Sequence, residues 1–218
     1  MRNEFFKYLD DLERFFIERN NNHFILRNFI LNSMNKQKEQ LNKQLKEYTE
    51  DELADDESHF SSLLIDFNIY YPNNIEYLSI TQLYTNFELS LNSLCVSINQ
   101  YMDAKLSYKD FKGNNTIDSY RKYLIYCCDF DFKELIEWDE LDEFRQLRNL
   151  IAHSNGIYDK KDSRLGKIIT ENQQLDLDEK TNQVFVNSMY ALNITNILND
   201  AIKAIVNAVK LNLPAPKE

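Results

Sequence analysis

Arg148, Asn149 and His153 are the residues of this chain whose types and spacing could do chemistry together. A guanidinium is a planar, permanently charged fork that grips phosphate oxygens and steadies negative charge developing on them. An imidazole can take and return a proton near neutral pH within one reaction cycle. An amide beside them can orient the phosphate or the ring. The trio fits cleavage of a phosphodiester that brings its own nucleophile, the 2′-hydroxyl of RNA. Such a reaction needs an acid–base group and a cation, and asks for no divalent metal.

The element that must position these side chains is a helix. From Leu141 to Gly156, the residues Phe144, Leu147 and Ile151 fall within about 60° of one another at 100° per residue and define a core side. Asn149 and His153, four apart, stack on a face roughly 160–200° away. Arg145 lies near them, and Arg148 sits at the border of the core stripe, where its long arm can swing either way. Asn155-Gly156 is a helix stop. A histidine on that face is open to water or pressed on another chain; the helical wheel argues against a satisfied core histidine.

The rest of the chain is expected to be helical too. It has 218 residues, 43% of them hydrophobic, with only three glycines and three prolines, too few for most all-β folds. No run approaches the roughly 18–20 apolar residues of a membrane span, and the amphipathic start is unlike a signal peptide. From Asn3 to Tyr71 there is no Gly or Pro. Phe5, Leu9, Leu12, Phe15 and Phe16 fall at helical spacing, as do Phe24, Leu26, Ile30, Leu31 and Met34. Asn20-Asn21-Asn22 either breaks this stretch or sits on an exposed turn of one long helix. Residues 37–50 lose the stripe and are expected to project. Asp51 to Asp56 reads as an acidic first helical turn rather than a metal loop. Pro72-Asn73-Asn74 is the clearest punctuation, followed by a helix from Ile75 to about Met102 with Leu83, Phe87, Leu91, Leu94 and Ile98 on one face. Further helices are expected over 116–128, 139–154 and 188–211. Between them, Lys167 to Thr170, Leu175 to Leu177 and Gln183 to Val186 read as short strands.

Cys95, Cys127 and Cys128 have no framework spacing and read as reduced, buried thiols of a cytoplasmic protein. His23, His59 and His153 are scattered, so no zinc site, and no other metal or cofactor, is expected. The net charge of −10 argues against a surface coated in nucleic acid. A local basic site remains open. From Phe144 to Lys167 the chain carries Arg145, Arg148, Lys160, Lys161, Arg164 and Lys167 against only Asp159 and Asp162. Lys105, Lys109, Lys112, Arg121 and Lys122 add a second basic stretch. Arg145, Lys160, Lys161, Arg164 and Lys167 are the candidate RNA-binding residues of a basic cleft on an acidic body.

Arg148-Asn149-Leu150-Ile151-Ala152-His153 resembles the Arg-x4-His motif of HEPN domains, with asparagine directly after the arginine. Ser154-Asn155-Gly156 is similar to their helix end, and the earlier helix bearing Phe87-Glu88 looks like their preceding core helix. The resemblance covers roughly residues 75–211. It implies an all-α antiparallel helical bundle over 75–212, with residues 1–74 as a helical extension. A small β-hairpin or irregular insert is expected near 167–186, and a disordered tail over 213–218. It also implies a metal-independent endoribonuclease, a toxin or phage-defence effector, working as a homodimer whose two motifs line one cleft. Arg148 would hold the scissile phosphate, His153 would move the proton, Asn149 would orient either, and Glu88 would support them. Partners would be RNA and a cognate antitoxin or defence-system protein, with no membrane. One branch of the family is controlled through a tyrosine two residues after the histidine; Asn155 stands there here, with Tyr158 further on. The alternative from a different class is a non-catalytic HEPN-like module that binds a protein or nucleotide through the same dimer cleft.

Overall fold

In the computed structural model, residues 2–46, 60–134 and 136–214 are described. The first 44 of these form one helix, α1 (Arg2–Leu45). Its buried residues Leu9, Leu12, Phe16, Asn20 and Arg27 recur three, four or seven apart and make a single stripe. Asn20 is thus neither a break nor an exposed turn. It is fully buried, donating to Asn199 Oδ1 at 3.0 Å and accepting from Asn86 Nδ2 at 3.0 Å. No residue from 28 to 46 is buried; Leu31, Met34, Lys38, Leu41 and Leu45 are half-buried along one stripe of the second part of α1. The acidic run Asp51 to Asp56 lies outside the described residues.

Residues 60–65 are helical and lead through a wider π turn, Asp66–Tyr70, into α2 (Tyr71–Met102). Pro72 therefore does not punctuate the chain as expected. A proline lacks an N–H and crowds the carbonyl four residues back. Here it stands in the first turn of α2, and the turn before it widens so that Tyr71 N–H reaches Asp66 O. α2 is the central helix. α1 packs antiparallel along it, as the Phe5–Tyr101, Phe16–Phe87 and Arg27–Glu76 contacts show in turn.

Three more helices complete the body: α3 (Thr116–Cys128), α4 (Trp138–Ser154) and α6 (Ser188–Asn212). α2 touches all of them, and α6 also touches α1 and α3. Asn115 and Asn187 cap α3 and α6, each side chain accepting from a backbone N–H of the first turn. Leu9 and Phe16 of α1 share one core with Leu83, Phe87 and Leu94 of α2, Phe144 and Leu147 of α4, and Ile202 and Val206 of α6. Leu213, just past α6, is buried in it as well. All three cysteines are free and buried, and burial raises the thiol pKa of each. No helix among the described residues is long and apolar enough to cross a membrane.

The insert holds α5 (Ser163–Glu171) and a hairpin, β1 (Leu175–Asp178) with β2 (Gln183–Val186), paired antiparallel from Leu175 opposite Val186 to Asp178 opposite Gln183. Lys167 to Thr170 is helical, not the strand its β-branched residues suggested. Asp162 caps this helix by accepting from Leu165 N–H, and Leu165, Ile168 and Ile169 bury one face of it. Capping and burial outweigh a weak local preference.

The hairpin pins the end of α4. Gln183 Nε2 donates to Asn155 O at 2.9 Å and to Tyr77 Oη at 2.7 Å, while Tyr77 Oη donates to Val184 O. Gly156 occupies φ +77°, and a Cβ there would come within 1.7 Å of Tyr77 Oη. Only glycine fits this position without strain. Gly156→Ala is expected to cost about 2–3 kcal/mol, from the left-handed backbone plus displacement of Tyr77. Urea denaturation should show it as a lower midpoint with an unchanged slope.

Candidate functional site

α4 carries the motif on the side expected. Leu141, Phe144, Leu147, Leu150 and Ile151 are buried against the body, and His153 is exposed in the last turn. The turn closes when Asn155 adopts a left-handed backbone, with its N–H and that of Gly156 both reaching Leu150 O. His153 makes no side-chain hydrogen bond and no ion pair among the described residues. Both ring nitrogens therefore remain available to a ligand.

Arg148 is held from several sides. Its guanidinium lies over the Tyr84 ring, 4.7 Å from the centroid, a cation–π geometry. Nη1 donates to Asn149 Oδ1 at 3.1 Å. Nε is buried with no hydrogen-bond partner. Glu88, one turn after Tyr84 on α2, faces the same group. Burial pushes the Glu88 carboxyl above its ordinary range, against the pull of Arg148 and of hydrogen bonds with Thr116 and Tyr84. Burial, and then the Glu88 charge, push the Tyr84 hydroxyl up to about 12. The sequence singled out Arg148, Asn149 and Glu88, and the structure brings them together. It did not single out Tyr84, although its place four residues before Glu88 on one helix face was a readable signal.

The candidate RNA-binding residues are less unified. Asp142 accepts from Arg145 Nε at 3.0 Å and Nη2 at 2.8 Å, and also pairs with Arg164 of α5. One carboxylate thus occupies two of the five cations. Arg164 and Lys167 border a cleft of about 270 Å³ that also holds Asp139, Glu143 and Glu171, with Lys167 Nζ 3.8 Å from Glu171. Lys160 and Lys161 are exposed and make no ion pair among the described residues. Asn149 borders a separate cleft of about 300 Å³ with Asp159, Asp162 and Ser154. Tyr158 bridges the same stretch, donating to Asp162 O at 3.0 Å. The basic excess of this segment in sequence is therefore interleaved with carboxylates in space.

A cavity of about 740 Å³ lies between α4, α5 and α6 and is lined by Glu140, Glu143 and Glu171 with several amides. Burial and then Glu140, Glu171 and Asp139 push the Glu143 carboxyl upward. No group of three or more metal-ligating side chains stands together among the described residues. No family model matches the chain, and no curated protein and no solved structure matches it either.

Proposed function

We propose that the protein is a metal-independent endoribonuclease of the HEPN type, a toxin or phage-defence effector acting as a homodimer in the cytoplasm. The observation that supports this most is the state of Arg148. It is clamped over Tyr84 beside Glu88, keeps an unspent buried Nε donor, and stands five residues before an exposed, unpartnered His153. A buried orphan donor costs about 1–3 kcal/mol. Nε stays behind the ring, and Nη2, which makes no hydrogen bond among the described residues and is not among the buried unpaired atoms, would be the donor that meets the phosphate oxygens of the scissile group. His153 would accept the 2′-hydroxyl proton and return one to the leaving 5′-oxygen, leaving a 2′,3′-cyclic phosphate. Asn149, bonded to Arg148, would fix the orientation of the fork. An antitoxin or defence-system protein would be the partner that restrains or triggers it.

The test is cleavage of single-stranded RNA by purified protein in EDTA. RNA fragments ending in a cyclic phosphate are expected, and DNA of the same sequence should survive because it lacks the 2′-hydroxyl. Loss of all RNA cleavage in EDTA, with activity restored by added divalent metal, would exclude the metal-independent mechanism.

A second reading has its own support. Asp142 neutralises Arg145 and Arg164, and Asp139, Glu143 and Glu171 surround Lys167. Acidic neighbours weaken an RNA path and suit a module that binds a protein or a single nucleotide. A nucleotide that shifts the His153 ring resonances without being cleaved would favour this reading.

A further inference from the structure

The cavity of about 740 Å³ between α4, α5 and α6 takes no part in the proposed cleavage. Its polar wall is acidic. Glu140 and Glu143 of α4 make no ion pair and no hydrogen bond among the described residues. Glu171 of α5 has Lys167 Nζ at 3.8 Å, and both of these side chains are largely exposed. Arg164, in the adjoining cleft, is taken by Asp142. Glu140 and Asp139 stand three and four residues before Glu143 on one helix face, a spacing at which like charges repel. Glu140, Glu171 and Asp139 all push the Glu143 carboxyl upward, and Lys167 pulls back more weakly than any of them. A cation arriving among these carboxylates would relieve the repulsion.

Tyr190 of α6 is a second, independent sign of a ligand. It is 3% exposed and lines the cavity, yet its hydroxyl makes no hydrogen bond among the described residues. The Glu143 and Glu140 charges both reach it, which puts the hydroxyl on the acidic side. Buried phenols usually find a partner, so this oxygen is one acceptor to spare. Ile194 and Ile197 of the same helix add an apolar strip to the wall.

We propose that this cavity binds a linear polyamine, a small molecule whose ammonium groups are joined by short methylene chains. The ammonium N–H groups would donate to Glu143, to Glu140 or Glu171, and to the Tyr190 oxygen, while the methylenes lie along Ile194 and Ile197. Other ligand classes fit less well. A phosphate would be repelled, which excludes the RNA backbone from this cavity. A divalent metal needs several oxygen ligands around one point, at about 2.0–2.6 Å. No three metal-ligating side chains converge in that way among the described residues. The volume falls within the roughly 300–1,000 Å³ of small-molecule pockets, which favours a small cation over a basic protein segment. Binding here does not depend on the ribonuclease reading.

Isothermal titration calorimetry with spermidine, on the full chain in about 150 mM salt, is the test. At that ionic strength the general attraction of an acidic chain for polycations is largely screened beyond about 8 Å, so a retained signal reports a local site. One spermidine per chain is expected. Glu143→Gln keeps the shape, removes the charge and should weaken binding by about tenfold or more. Tyr190→Phe, which removes one acceptor for a charged donor, should weaken it by about tenfold. Glu39→Gln, an exposed carboxylate of α1 outside the cavity, removes the same charge and should bind as the wild type does. Spermidine should also raise the melting temperature of the wild type and leave that of Glu143→Gln unchanged. Without ligand Glu143→Gln should melt no lower than the wild type, because it relieves like-charge repulsion, so lost binding is not lost folding. No binding by the wild type, equal binding by wild type and Glu143→Gln, or displacement of spermidine by an equal concentration of Mg²⁺ would each overturn the proposal. An arginine-rich peptide that binds more tightly than spermidine, with the same loss in Glu143→Gln, would overturn it too and assign the cavity to a protein partner.

Discussion

His153→Ala is expected to slow RNA cleavage by about a hundredfold to ten-thousandfold, the range contributed by one positioned proton-transfer group. The side chain is exposed and makes no hydrogen bond, so its removal should leave folding untouched. Thermal melting of the variant should overlay the wild type. Arg148→Ala should cost about 2.7–4 kcal/mol of transition-state stabilisation, by analogy with loss of one oxyanion donor. Unlike His153, it is half-buried and stacked on Tyr84, so about 0.5–2 kcal/mol of stability should go with it. Arg148→Lys separates the two contributions. It keeps the charge and loses the planar fork, so it should stay near the alanine variant if the fork is what grips phosphate. If wild type cleaves RNA and the His153 and Arg148 variants cleave equally well, the site has been misassigned.

What could be read from the sequence was what depends on neighbours along the chain. α3 and α6 begin at Thr116 and Ser188, as expected, because Asn115 and Asn187 supply local caps. The exposure of His153 followed from the helical wheel of α4. What failed depends on partners distant in sequence. Asn20 was expected to break the helix or to sit on an exposed turn, and it is buried because Asn86 and Asn199 arrive from two other helices to satisfy its amide. Phe15 and Leu26 shared the apolar stripe of α1 in sequence, yet both are exposed, because α2 and α6 cover only the side marked by Leu9 and Phe16. At the site, the Asp142–Arg145 pair was legible from its i, i+3 spacing. The claim of Asp142 on Arg164 was not, since it depends on α5 packing beside α4.

Glu76→Ala is expected to destabilise the fold by about 3–5 kcal/mol, the usual cost of stranding one partner of a buried ion pair. Arg27 reaches Glu76 through Nε at 3.0 Å and through Nη2, and Nη2 also donates to Ser188 O at 2.9 Å. Both side chains are 3% exposed. Removing the carboxylate leaves a guanidinium walled in by α1, α2 and the start of α6, with Phe24 stacked on it. For a chain of this length the melting temperature should fall by about 6–20 °C. Replacing both partners, as in Arg27→Met with Glu76→Leu, should recover most of the loss, because no charge is then stranded. pH adds an independent check. Burial pushes the Glu76 carboxyl above its ordinary value, and Arg27 only partly opposes it. The folded state therefore binds this proton more readily than the unfolded state does. The contribution to stability is full below the unfolded pKa and declines as pH rises through the folded one. Glu76→Gln removes that titration, so the stability difference between wild type and Glu76→Gln should drift against the wild type across this window. A Glu76→Ala variant that melts together with the wild type would mean that the pair does not hold α1 to α2.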